Sequence, residues 1–124
     1  LIISNFTIEF EAEISSSESG SEIDGLCLSN TLGARQDTID ANDGLTVIFW
    51  NDSGDLTIRI KDENTDNVDF YNTSASSIPL YYFIMKRDNT TFTLDIYSDS
   101  ARTSGSFVDT LSVTCETGDK DIYM

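Results

Sequence analysis

A chain of 124 residues with 39% hydrophobic residues is long enough for one domain core and is not compositionally disordered. Its 22 Asp and Glu against 7 Lys and Arg leave a formal charge of −15, which repels phosphate backbones and anionic bilayers and argues against nucleic-acid and membrane-surface partners. There is no His, which removes the commonest general base and zinc ligand, and no apolar run of about 18 residues that could insert in a membrane.

Strict alternation opens the chain. Phe6, Ile8, Phe10, Ala12 and Ile14 face one way, and Thr7, Glu9, Glu11 and Glu13 the other, which predicts a half-buried strand. Residues 15–22 read as a polar loop, and Leu26 and Leu28 mark a short strand at 24–29. Residues 30–44 carry no period and read as a long loop. The run LTVIFW at 45–50 is the continuous apolar stretch of a strand buried on both sides. Asn51-Asp52-Ser53-Gly54 is a hairpin turn signal, after which Leu56, Ile58 and Ile60 alternate with Thr57, Arg59 and Lys61.

A charged turn at 62–67 leads to a short strand near 68–71, and a Ser/Thr-rich loop covers 72–78. Two strong strands follow, about 80–87 and 91–98, joined by Asp88-Asn89-Thr90. Val108, Leu111, Val113 and Cys115 mark a strand near 107–115, and residues 121–124 resemble part of a last one. No segment sustains a helical period. Many short strands with turn signals between them, and one Pro at a run boundary, predict an all-β chain, an antiparallel sandwich or barrel. A two-sheet sandwich buries each apolar face against the other sheet.

Three stretches carry a family likeness: NFTIEFEAEI at 5–14, GLTVIFWNDSGDLTIRI at 44–60 and YYFIMKRDNTTFTLDIYSDSART at 81–103. Together they resemble the laminin-G-like, concanavalin-A-like jelly rolls of lectin type. The resemblance implies a two-sheet antiparallel β-sandwich over residues 1–124, expected to be part of a longer protein. It further implies a glycan-binding or adhesion module on an extracellular, cell or virion surface. A structural module of a fibre, virion or filament, self-associating and without small ligand, is the alternative. A glucanase-like fold without activity is the second.

No catalysis is expected. Glu9, Glu11 and Glu13, or Glu22 and Asp24, have the alternate spacing by which glucanases of this fold point acids into a cleft. The glutamates lie on the first strand, and Gly25, Leu26, Cys27 and Leu28 follow Asp24 where a further acid belongs. A glycan surface pairs aromatic faces with planar polar groups. From Trp50, Tyr71, Tyr81, Tyr82, Tyr97, Asn51, Arg59 and Arg102, the candidate ligand-binding set is Trp50, Asn51, Tyr97 and Arg102.

Calcium is the one candidate cofactor. Its hard-oxygen ligands would be Asp40, Asn42 and Asp43, clustered in the long loop, with Asp99 at a hairpin end. The competing reading is that these residues form turns. Laminin-G-like domains hold such an ion at the rim, so the resemblance points the same way. Cys27 and Cys115 form a disulfide if the first and last strands are neighbours, and are buried thiols otherwise. Asn5, Asn51, Asn72 and Asn89 each open a glycosylation sequon.

Overall fold

The computed structural model describes residues 5–15, 19–28 and 44–115. Among them run β1 (Phe6–Ile14), β2 (Glu22–Leu28), β3 (Leu45–Asp52), β4 (Asp55–Asp62), β5 (Asn67–Asn72), β6 (Ile78–Asp88), β7 (Thr91–Tyr97) and β8 (Phe107–Thr114). The expected strands at residues 121–124 and the loop at 30–43 lie outside the described residues.

The strands form two antiparallel sheets, ordered β1-β6-β7-β8 and β2-β3-β4-β5. The fold is therefore the two-sheet antiparallel β-sandwich that the strand pattern predicts. Short turns join β3 to β4, β4 to β5 and β6 to β7, whereas β1 and β6 are far apart in sequence. Their pairing, Phe6↔Arg87 through Phe10↔Phe83 to Ile14↔Ile78, closes the longest loop in sequence.

Turn chemistry sets the register. Ser53 and Gly54 both have positive φ, the geometry of a two-residue hairpin loop whose twist matches the strands. That loop pairs Asp52 with Asp55 and so places Trp50 across from Thr57, Ile48 from Arg59 and Thr46 from Lys61. Asn89, also at positive φ, turns β6 into β7, with Asp88 opposite Thr91.

The core lies between the sheets. Leu45, Val47 and Phe49 of β3 and Leu56, Ile58 and Ile60 of β4 meet Phe83 and Met85 of β6, Phe92, Leu94 and Ile96 of β7, and Leu111 and Val113 of β8. Phe83 is its centre. It stacks on Phe10 at 4.8 Å within its own sheet and meets Phe49 of the other sheet edge-on at 6.1 Å. Gly25 sits where β2 slips register between Asp24 and Leu26, and a Cβ there would come within 2.6 Å of the Phe49 ring. The residue is small because that ring needs the space.

The edge at β8 is covered by side chains. Asn67 of β5 donates from Nδ2 to the Thr114 carbonyl at 2.8 Å, and Asp69 Oδ2 accepts from Ser112 N–H at 2.8 Å. These contacts join the two sheets and occupy backbone groups that could otherwise pair with another chain.

The same arrangement corrects the cysteine expectation. Cys27 and Cys115 are both thiols, and the bridge is not made. Cys27 is on β2 at one edge of its sheet, whereas β5, the opposite edge, is the strand that packs beside β8 and Cys115. A disulfide tolerates only a few ångströms between its Cα atoms, so residues at opposite flanks of a sandwich cannot form one. Cys115 is buried, with Sγ 3.8 Å from the Asn89 carbonyl.

Candidate functional site

The β3–β4–β5 outer face holds a concavity of about 260 Å³, lined by Glu22, Ile48, Trp50, Arg59, Lys61, Glu63 and Val68. It follows from strand alternation. Leu45, Val47 and Phe49 turn inward, so Ile48 and Trp50 turn outward, and the hairpin register sets Arg59 and Lys61 beside them.

Trp50 is the aromatic wall. The Arg59 guanidinium lies 4.8 Å from its ring centre and 6.0 Å from the ring of Phe70, while Arg59 Nε donates to Thr57 Oγ1 at 3.0 Å. Cation–π contact with the two rings holds the guanidinium on this face.

The floor is polar and internally paired. Glu63 is 3% exposed, accepts from Thr46 Oγ1 at 2.8 Å and meets Lys61 Nζ at 2.8 Å. Lys61 also reaches Asp66 at 2.8 Å. Burial by itself would lower the Lys61 pKa, but the hydrogen bonds and charges of Asp66 and Glu63 outweigh it and raise the pKa above its ordinary value.

Asn51, next to Trp50, points the other way. It is 1% exposed, and its Oδ1 accepts the Gly54 N–H at 2.9 Å, holding the turn rather than facing the concavity. Tyr97 and Arg102 are on the opposite sheet. Tyr82, Tyr97 and Phe107 lie in one register row across β6, β7 and β8, with Tyr97 and Phe107 edge-to-face at 5.8 Å. The β7–β8 loop places Arg102, at φ +50, so that its guanidinium lies 5.6 Å from the Tyr82 ring centre and 3.3 Å from Glu9. The ligand-binding set drawn from the sequence is thus divided. Tyr97 and Arg102 share one face, Trp50 is on the other, and Asn51 is inside.

Tyr71 and Tyr81 pack against the core. Burial and the neighbouring Tyr71 hydroxyl raise the Tyr81 pKa. Of the calcium candidates, Asp40, Asn42 and Asp43 lie outside the described residues. Asp99 Oδ1 accepts the Ala101 N–H at 2.9 Å, a turn-forming contact that leaves carboxylate oxygen capacity. Among the described residues no three His, Cys, Asp or Glu side chains cluster as a metal would require. Of the sequon asparagines, Asn5 accepts from Asn89 N–H at 2.8 Å and Asn72 from Ser74 N–H at 2.8 Å.

Lys61, Glu63, Val68, Phe70 and Phe107 were not singled out from the sequence. The signal for Lys61 is in the turn: a two-residue Ser53-Gly54 loop sets Arg59 across from Ile48 and Lys61 across from Thr46, on the face that Trp50 shares. Glu63 and Phe70 enter through the turn after β4 and the register of β5, which short charged segments do not reveal.

Comparison with protein-family models, with curated proteins and with solved structures gives no match to this chain.

Proposed function

We propose that this chain is a non-catalytic glycan-binding or adhesion module of an extracellular, cell-surface or virion-surface protein, and that the Trp50 concavity receives the sugar. The laminin-G-like resemblance of its sequence supports the class. The observation that carries the site is one apolar aromatic wall, Trp50, beside polar groups already paired with each other.

A pyranose ring has an apolar C–H face and a rim of hydroxyls. Trp50 and Val68 suit the first, and Arg59, Lys61 and Glu22 suit the second, since charged donors and acceptors both bond hydroxyls. Lys61 is neutralised by Glu63 and Asp66, so the floor selects a neutral sugar over a charged one. The volume of about 260 Å³ is near the lower end for small-ligand pockets and matches one sugar residue rather than a long chain. Glu63 is committed to Thr46 and Lys61, which favours holding a ligand over proton transfer.

Calcium at Asp40, Asn42, Asp43 and Asp99 is part of the same proposal. A glycan array probed with and without EDTA, with wild type and Trp50→Ala, tests both. Binding of neutral glycans that Trp50→Ala abolishes is expected, and loss with EDTA assigns the ion a role. The structural-module reading is favoured by Val68 and Phe70, 53% and 57% exposed beside each other on edge strand β5. No glycan bound in either condition, with stable self-association, would replace the lectin reading by that one.

A further inference from the structure

We propose that Asn72 carries an N-linked glycan whose first sugar packs on Phe70. The proposal rests on the extracellular reading, because the transferase that makes this bond faces the secretory lumen.

The pattern Asn-x-Ser/Thr, opened by Asn5, Asn51, Asn72 and Asn89, marks glycan acceptors on the surface of secreted proteins. The fold treats the four differently. Asn51 is 1% exposed and its Oδ1 holds the Gly54 N–H, so a glycan has no room there. Asn72 is exposed at the end of edge strand β5, before an exposed Ser74. Its Oδ1 accepts the Ser74 N–H at 2.8 Å. Its Nδ2, the atom that takes the sugar, makes no hydrogen bond among the described residues.

The second observation is what stands beside Asn72. Asp69 reaches the Ser112 N–H of the other sheet and Tyr71 packs against the core, so Val68, Phe70 and Asn72 face outward. Alternate residues on a strand are about 6.5–7 Å apart, which puts a pyranose on Asn72 within reach of the Phe70 ring. Arg59 approaches that ring from β4 at 6.0 Å, yet Phe70 is still 57% exposed. The apolar C–H face of the sugar covers such a ring and removes its surface from water. Asn89, exposed on the β6–β7 turn, has no such neighbour: the residue two before it is Arg87, which is buried.

The donor is a lipid pyrophosphate-linked oligosaccharide. Nδ2 forms a bond to the anomeric carbon of the first N-acetylglucosamine, the bond from that carbon to the pyrophosphate oxygen breaks, and one amide proton leaves. Oδ1 and the other N–H remain, so the contact with Ser74 survives.

The test secretes the full chain from a eukaryotic culture behind an added signal sequence. Peptide mass spectrometry after glycosidase release in heavy-oxygen water, which turns each occupied Asn into a tagged Asp, reads occupancy. Asn72 is expected to be occupied and Asn51 bare. Urea unfolding then compares the secreted protein with the same chain made without glycan in bacteria. Both carry Thr7→Val and Thr91→Val, exposed positions whose change silences the Asn5 and Asn89 patterns. The glycan is expected to raise the midpoint by roughly 0.5 M with Phe70 present and to leave it unchanged in Phe70→Ala. Circular dichroism verifies folding of each form. A bare Asn72 overturns the proposal, and so does an equal glycan effect with and without Phe70. The glycan array on the bacterial protein decides the Trp50 reading separately, so either can fail alone.

Discussion

Replacing Phe83 by Ala removes the ring on which the two sheets meet. Phe83 is fully buried, stacked on Phe10 at 4.8 Å and edge-on to Phe49 at 6.1 Å and Tyr81 at 6.5 Å. A core Phe→Ala change costs about 3–5 kcal/mol, the transfer free energy plus that of the cavity left behind. Lost aromatic pairs, each about 0.5–1.5 kcal/mol beyond area, put this site at the upper end of that range. The matched control is Phe70→Ala. That ring is 57% exposed and lies 6.0 Å from the Arg59 guanidinium, so its loss should cost less than about 1 kcal/mol. Urea unfolding followed by circular dichroism and by the fluorescence of the lone Trp50 reads both variants. With a slope of about 1–3 kcal/mol per molar urea, the Phe83→Ala midpoint falls by more than about 1 M and that of Phe70→Ala by much less. A Phe83→Ala cost below about 2 kcal/mol, or equal costs for the two, would refute the assignment of the inter-sheet core.

Asp69→Ala leaves the Ser112 N–H at the β8 edge without its acceptor; we expect a loss of about 1 kcal/mol and increased self-association by light scattering. Gly25→Ala drives a Cβ into the Phe49 ring and should cost about 1–3 kcal/mol in thermal or urea unfolding. Arg59→Ala frees the Trp50 ring, so the emission maximum should move and stability fall by about 0.5–1 kcal/mol. The alkaline limb of stability should be steep. Lys86, hydrogen-bonded to Asp95 at 2.6 Å, and Lys61 both have folded pKa values raised above 10.5, and Tyr81 above 10.0. A raised folded pKa means the native state holds the proton more tightly. The contribution is therefore complete below the unfolded value and lost as pH rises through the folded one. Urea midpoints should fall from about pH 10 upward, less so in Lys86→Met and Tyr81→Phe; a midpoint unchanged to pH 11.5 would contradict the Lys and Tyr assignments.

Much of the fold was legible in the residues because strands report themselves locally. The alternation of Phe6 to Ile14, the apolar run at 45–50 and the in-phase Phe92, Leu94 and Ile96 each mark a buried face without reference to any distant residue. The Ser53-Gly54 and Asn89 turns did the same for two hairpins. The candidate sites were less legible. Asn51 has the chemistry of a sugar ligand, yet its side chain is spent on the Gly54 N–H, a choice made by turn geometry. Trp50 and Tyr97 look alike in sequence, each the outward aromatic of a strand.

By itself the sequence determined that this chain is all-β, that its sheets have one apolar and one polar face, and where the hairpins turn. Those properties follow from period-two alternation and local turn chemistry. Only the tertiary structure decided which strands are neighbours across the long β1–β6 connection. That pairing puts Trp50 and Arg102 on opposite outer faces, keeps Cys27 away from Cys115, and sets Glu11 against Tyr82. The physical reason is that long-range pairing is chosen by how the two apolar faces close over Phe83, a property of the whole core that no short window contains.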